Sequence, residues 1–335
     1  MKVLVTGANG FYAAAIMDRL MRLGIKFHGT VRSEKSVAPL KQRYGDFITV
    51  FIVPDICNES AFLESVKGCD GIFHVASPFN PKVKNAMDFL DPAVKGALSA
   101  LQSAAKTASV KRVVMTSSSA AIIDPVNELG FFRPGYTYTE DDWNPLTYEV
   151  VSKSSAWPVM YTGSKALAEK AAWDFMAKEP RTFDLVCINP AHTWGEYTQH
   201  VPSSESMNNT NTDLSRLMDG KEATVPAVKF PVVTDVGSVA DAHIAAMLRS
   251  EAKGRYIVAT GPIEFQQVVD IMHRNFPEAE WIKNVPKGNP GERKLNSFRL
   301  DNSKSRRDLG LTYPPVEDAI IDFCKKYQED RKGWL

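Results

Sequence analysis

In Tyr161-Thr162-Gly163-Ser164-Lys165 a spacing of four puts a phenol and an ammonium on one face of a helix. Of the ten tyrosines, Tyr161 alone has a lysine at that distance. A phenol with a pKa of about 10 gives up its proton reluctantly, and a neighbouring ammonium is expected to lower that value by about one to three units. About 40 residues upstream, Thr116-Ser117-Ser118-Ser119 ends an apolar, β-branched run. Such a run can present a hydroxyl at the carboxyl edge of a parallel sheet, where ligands of open α/β sheets bind. Hydroxyl, phenol and ammonium together make a set for moving a proton and stabilising a developing oxyanion.

A second cluster opens the chain. The run Val3-Leu4-Val5 leads directly into Thr6-Gly7-Ala8-Asn9-Gly10-Phe11-Tyr12-Ala13, a G-x-x-G-x-x-A pattern between a strand and a helix. Gly7 permits the tight turn, Gly10 lets the backbone approach a pyrophosphate, and small Ala13 lets helix pack on strand. Phosphate then rests on the free N–H groups at the helix N-terminus. About 20 residues later, NAD sites carry Asp or Glu to bind the ribose 2′-hydroxyl. This chain has Thr30-Val31-Arg32-Ser33 there. A guanidinium suits a dianionic 2′-phosphate, with Lys35 in reach to assist.

The elements that must hold these groups follow from periodicity. Val3–Val5, Phe27–Val31, Ile48–Ile52, Ile72–Val75, Val113–Thr116 and Leu185–Ile188 read as strands, most of them apolar at consecutive positions. That is the pattern of a parallel sheet covered on both faces. Between them run amphipathic segments such as Val94, Leu98, Leu101 and Ala105. Residues 120–160, with four prolines, predict an irregular excursion before a long helix over Ala156–Lys178. Further helices are expected near Asp213–Asp219 and over Val239–Ser250, Phe265–Asn275 and Val316–Asp330, with a strand at Arg255–Thr260 and mostly loop over 282–300. The fold expected is α/β, a Rossmann-type doubly wound parallel sheet with a smaller mixed α/β C-terminal lobe. Residues 1–190 would form the dinucleotide-binding domain, rejoined by 230–262, and 191–335 mainly the substrate lobe, interleaved with it.

Composition narrows the function classes. The chain has 335 residues, 44% hydrophobic and 24% charged, and 40 Lys+Arg against 39 Asp+Glu leave +1. No basic stripe marks a nucleic-acid binder. Cys57, Cys69, Cys187 and Cys324 contain no C-x-x-C pair, and the six histidines lack H-E-x-x-H spacing, so reduced thiols and a metal-free protein are expected. The opening apolar run is too short for a signal-peptide core, and no stretch approaches the roughly 18 apolar residues of a membrane span. A cytoplasmic protein is the expectation. Trp173 reads as core packing and His243 as a structural histidine.

These residues together resemble the extended short-chain dehydrogenases/reductases, above all their NADPH-dependent methylglyoxal/aldehyde/ketone reductases and dihydroflavonol reductases. The resemblance is carried by Thr6–Phe11, Arg32, Val53-Pro54-Asp55-Ile56, His74-Val75-Ala76-Ser77-Pro78, Thr116–Ser118 and Trp143-Asn144-Pro145. It continues through Tyr161–Lys165 with Ala168–Trp173, Asn189-Pro190 with Gly195, Val236–His243 and Asp301–Lys304, nearly the whole chain. It implies Ser118, Tyr161 and Lys165 as the catalytic set, Tyr161 being the proton donor to an aldehyde, α-dicarbonyl or ketone. Hydride would come from NADPH. Cofactor contacts are implied for Gly7, Asn9, Gly10, Phe11, Tyr12, Arg32, Lys35, Asp55 and Ile56, then for Ala76, Ser77, Pro78, Thr116 and Pro190, with Tyr161 and Lys165. Phe79, Ser119, His192 and Trp194 would face the substrate.

Three positions depart from the family pattern. Tyr12 stands where an aliphatic residue is usual, Ser119 where a bulkier one is, and His192 where close relatives have tyrosine. The last two imply a roomier, more polar pocket. The alternatives are a nucleotide-sugar epimerase/dehydratase or steroid-type dehydrogenase of the same superfamily, or a non-catalytic NADP sensor. Epimerases favour an acidic residue where Arg32 stands, and sensors typically lose the tyrosine–lysine pair. A monomer or homodimer is expected. From Arg32, NADPH is expected to be preferred over NADH at least tenfold in kcat/KM, about 1.4 kcal/mol. Steady-state kinetics with both coenzymes check this, and an Arg32→Ala variant that keeps the preference would refute the assignment.

Overall fold

The computed structural model describes residues 1–77 and 85–334. The chain starts with β1 (Lys2–Val5), α1 (Phe11–Arg22), β2 (Lys26–Val31), α2 (Val37–Tyr44), β3 (Ile48–Ile52) and β4 (Gly71–His74). Next come α3 (Met87–Ala105), β5 (Arg112–Thr116), β6 (Thr137–Tyr138), α4 (Tyr148–Ser152), α5 (Trp157–Ala177) and β7 (Asp184–Pro190). The remainder contains β8 (His192–Trp194), α6 (Thr212–Met218), β9 (Val232–Asp235), α7 (Val236–Leu248), β10 (Gly254–Val258) and β11 (Gly261–Pro262). It ends with α8 (Phe265–Asn275), β12 (Arg299–Leu300), α9 (Ser303–Leu309) and α10 (Val316–Trp334).

Seven strands form one parallel sheet in the order β10-β7-β5-β4-β1-β2-β3. The order reverses between β1 and β4, which opens a crevice at their carboxyl ends. Val3, Leu4 and Val5 are fully buried because both faces are covered. Helices α1 and α7 pack with β1, β2 and β7 on one side, in a core that includes Ile16, Phe27, Val186 and Val239. Helices α3 and α5 cover the other side around Phe62, Leu101, Val113 and Leu185. Strand β3, at one edge, leaves Ile52 exposed. Strand β10 comes from far beyond residue 190 and completes the sheet against β7.

A second core gathers Trp194, Tyr197, Leu214, Val268, Phe323 and Tyr327, from β8, α6, α8, α10 and the segment after β8. A three-stranded sheet, β11-β9-β8, borders it. Phe11, the first residue of α1, packs against both this core and that of the main sheet. The long helices fall where periodicity places them, with ends shifted by a few residues. Helix α2 was not anticipated, since it is short and carries Pro39 in its first turn. The excursion over 120–160 holds the two-residue strand β6, which pairs with β12 in the region read as loop. Among the described residues, no helix is long and apolar enough to cross a membrane.

Candidate active site

The glycine turn sits at the crevice. Gly7 adopts φ +67°, and a Cβ there would lie 3.0 Å from the Ala76 Cα, so only glycine lets β4's exit approach this closely. The turn is pinned from both sides. Gly7 N–H donates to the Thr30 hydroxyl at 3.2 Å and Ala8 N–H to the Thr30 carbonyl at 2.8 Å. The Thr6 hydroxyl oxygen accepts from Val75 and Ala76 N–H, each at 3.0 Å. Helix α1 then follows Gly10, its N-cap, with no side-chain cap and no acidic residue in its first turn. Its N–H groups and partial positive charge are therefore available to a phosphate.

The adenosine end lies past β2. Arg32 and Lys35 are exposed there, and the Asn9 amide reaches the Ser36 hydroxyl at 3.5 Å. Ser36 was not singled out in the sequence, where one serine among several carries no distinguishing pattern. Asp55 closes a small turn by accepting from Cys57 N–H at 2.9 Å, and Ile56 packs toward Gly96 on α3. The cradle, the uncapped helix end and the unpaired cations past β2 fit a dinucleotide with a phosphorylated ribose. Pro78 and Phe79 lie outside the described residues.

At the other end, β5 delivers Thr116 and then Ser118, whose backbone is extended and whose hydroxyl oxygen accepts from Ala120 N–H at 3.1 Å. Helix α5 brings Tyr161 and Lys165 to the same edge, one turn apart. The Trp157 ring stacks on Tyr161 with centroids 5.1 Å apart, a partner that the tyrosine–lysine spacing did not reveal. Lys165 Nζ donates to the Ser77 hydroxyl at 2.9 Å. The structure thus brings Ser77, Ser118, Tyr161 and Lys165 together. Burial raises the Tyr161 phenol above its ordinary value, while a hydrogen bond with Ser118 pulls the other way. This differs from the expectation that Lys165 would lower it, because desolvation of the buried phenol is the largest influence on it; the Lys165 ammonium, likewise desolvated, falls to about 8. His74 drops to about 4, from burial and then the charge of Lys165.

Two further histidines are fixed by partners. His243 accepts or donates at Thr116 Oγ1 (2.7 Å) and at the Val239 carbonyl (2.7 Å). Since a carbonyl only accepts, Nδ1 carries the proton and Nε2 receives the Thr116 hydroxyl. Burial keeps this imidazole neutral, at about 4. His192, just beyond Pro190, meets Asp213 Oδ2 at 2.9 Å, stacks on Phe230 at 5.5 Å and stands edge-on to Trp194. Trp194 is 3% exposed, inside the second core, and donates its indole N–H to the Thr210 carbonyl at 3.1 Å. Ser119 is buried in the tight turn over 119–121. Asp213 and Phe230 had no signal in the sequence, because they meet His192 only through the fold.

Beneath the site lies a buried ion pair. Glu169, two turns after Tyr161, is fully buried and meets Arg255 of β10 at 2.6 Å. The same carboxylate accepts from Ser117, from the Asn189 amide at 2.8 Å and from the Trp173 indole at 3.3 Å. Asn189 also donates to the Ser118 carbonyl at 3.1 Å. Arg255 donates to the carbonyls of Glu140 and Asp142, each at 2.7 Å, and lies 3.6 Å over the Trp143 ring.

A family model described as the NAD dependent epimerase/dehydratase family matches residues 3–259. The chain belongs to that family. Within it, the chain is 34% identical to the NADPH-dependent methylglyoxal reductase GRE2 of Saccharomyces cerevisiae, with 96% of each covered. It is 33% identical to the ketoreductase azaE of Aspergillus niger, again over 96% of each. The crystal structure of yeast methylglyoxal/isovaleraldehyde reductase Gre2 complexed with NADPH superimposes with a TM-score of 0.87 and 32% identity, covering 100% of both chains. As in open α/β sheets generally, the crevice lies at the strands' carboxyl edge. Removing Glu169 would strand the Arg255 charge in the interior, so Glu169→Ala is expected to lose about 3–5 kcal/mol of stability. Denaturant unfolding measures this, with Glu169→Gln expected to lose less; a loss below about 1 kcal/mol for the alanine variant would contradict the burial argument.

Proposed function

We propose that the protein is an NADPH-dependent carbonyl reductase that turns an aldehyde, α-dicarbonyl or ketone into the alcohol. The observation that carries this reading is the convergence of Ser118, Tyr161 and Lys165 at the crevice that begins with the Gly7 cradle. The N–H groups of α1's first turn, with Gly10, Phe11 and Tyr12, hold the pyrophosphate. Arg32 and Lys35, with Asn9, take the 2′-phosphate, and Asp55 and Ile56 border the adenine. Ala76, Ser77, Thr116 and Pro190 line the way to the nicotinamide.

Bound NADPH supplies the hydride. Ser118 donates a hydrogen bond to the carbonyl oxygen, and the Tyr161 phenol passes its proton to that oxygen as negative charge develops. Burial keeps Tyr161 protonated at neutral pH, which suits a proton donor. Lys165, held by Ser77, orients the ribose and keeps a positive charge at the same edge, while the Ser118 hydroxyl favours the tyrosinate left behind. A buried site raises the value of that charge, since less water screens it. His192, fixed by Asp213 and Phe230, and Ser119 shape the substrate end.

A panel of carbonyl compounds followed by loss of NADPH absorbance tests the activity; no turnover with any aldehyde, dicarbonyl or ketone would sink it. Tyr161→Phe is expected to cost on the order of 10²–10⁴ in kcat while NADPH affinity stays within a few-fold. Lys165→Ala should damage both. The Lys165 ammonium is depressed toward about 8, so it is charged below that pH and neutral above it. NADPH affinity is therefore expected to fall as pH rises through about 8, and Lys165→Ala to flatten the fall. Fluorescence titration of NADPH across that range provides the check.

A further inference from the structure

The second residue of α1 faces two ways. The backbone N–H of Tyr12 belongs to the uncapped first turn of α1, while its side chain crosses to the second lobe. There the phenol donates to Thr193 Oγ1 at 2.8 Å, across a separation of 181 residues. Thr193 is fully buried in β8, between His192 and Trp194. Its own hydroxyl proton goes to the Ala191 carbonyl at 2.8 Å, so Thr193 must accept from Tyr12. The relay therefore has one direction, from the Tyr12 phenol through the Thr193 hydroxyl to the Ala191 carbonyl. Ala191 is tied in turn to the main sheet, its N–H donating to Val258 at 2.9 Å.

The packing matches the hydrogen bonds. The Tyr12 ring lies 5.6 Å from that of Phe11, the residue shared by both hydrophobic cores. A tyrosine has only two side-chain torsions to spread a displacement over, so a shift of the helix end reaches its hydroxyl almost undiminished. Well-packed interiors pass such shifts between discrete arrangements. Burial also holds the phenol far above its ordinary pKa, so it stays a donor at any physiological pH.

We propose that Tyr12 is a positioning residue that couples occupation of the phosphate-binding turn to the setting of β8, the strand that carries His192 at the substrate end. This rests on the reading of the crevice as an NADPH site. A ligand's phosphates settle the N-terminal turn of α1, the phenol carries that ordering to Thr193, and the β8 wall is set before a carbonyl substrate arrives. Phenylalanine at this position would keep the ring but cut the link, leaving Thr193 with an unpaired buried acceptor.

The test is hydrogen–deuterium exchange of residues 191–195 in the full-length protein, with and without saturating NADPH, beside a fluorescence titration of NADPH. In the wild type, NADPH is expected to slow exchange there about fivefold or more, the lower end of typical coupling between sites. Tyr12→Phe and Thr193→Val should each abolish most of that protection while still binding NADPH, and Thr193→Ser, which keeps the hydroxyl, should restore it. The double variant should bind NADPH no more weakly than the weaker single one, as expected of two residues acting through one bond. Protection that survives in Tyr12→Phe or in Thr193→Val, or a wild type that binds NADPH without protecting 191–195, would overturn the proposal. A wild type that fails to bind NADPH would instead overturn the reading of the crevice.

Discussion

The sheet edge that carries Ser118 and Tyr161 depends on one buried charge pair. Glu169 and Arg255 meet out of water, where an unpaired charge is very costly and even a paired one is tolerated only if every remaining donor and acceptor is satisfied. Here the carboxylate is met by Ser117, Asn189, Trp173 and Arg255, and the guanidinium by three carbonyls and an indole face. Those partners come from α5, the ends of β5 and β7, the start of β10 and the segment before α4. Pulling any of them away leaves a polar group unmatched in the interior, so all are held in one arrangement. Ser118 belongs to the strand end that Glu169 and Asn189 grip, and Tyr161 to the helix that carries Glu169. The spacing between hydroxyl and phenol thus follows from an interaction that touches neither directly.

Desolvation runs through the site as a second theme. It lifts Tyr161, lowers Lys165 and keeps His74 and His243 neutral, each in the direction that disfavours the charged form. Lys165 is thereby a desolvated cation on the same helix as the Tyr161 phenol, and its neighbour His74 is held neutral and does not compete with it for charge. The close approach of Gly7 to Ala76 belongs to the same economy of space, for it lets backbone, not side chain, form the floor of the crevice.

Of the departures from the family pattern, His192 lies in the second lobe. His192 is smaller than a tyrosine, yet it is not loose. Asp213 and Phe230 hold its ring in place, and Trp194 closes its edge. Tyr12, on α1, anchors its phenol on Thr193 of β8, so an aromatic ring at an aliphatic position is held by a hydrogen bond.

Much of this was legible in the sequence. Consecutive apolar residues in Val3–Val5 and Val113–Thr116 announce a sheet covered on both faces, because no other arrangement buries adjacent side chains of a strand. Gly7 and Gly10 declare a tight turn between strand and helix, and the four-residue step from Tyr161 to Lys165 is set by the helix repeat alone. Each of these is a local property of the chain. Tertiary structure alone decided the partners that lie far apart in sequence: Glu169 with Arg255, His192 with Asp213 and Phe230, Tyr12 with Thr193. It also decided that burial, not the neighbouring ammonium, governs the Tyr161 phenol. Sequence spacing carries no information about such pairs, since their energies arise from the exclusion of water, and water is excluded only once the whole sheet, its helices and the second lobe have closed around them.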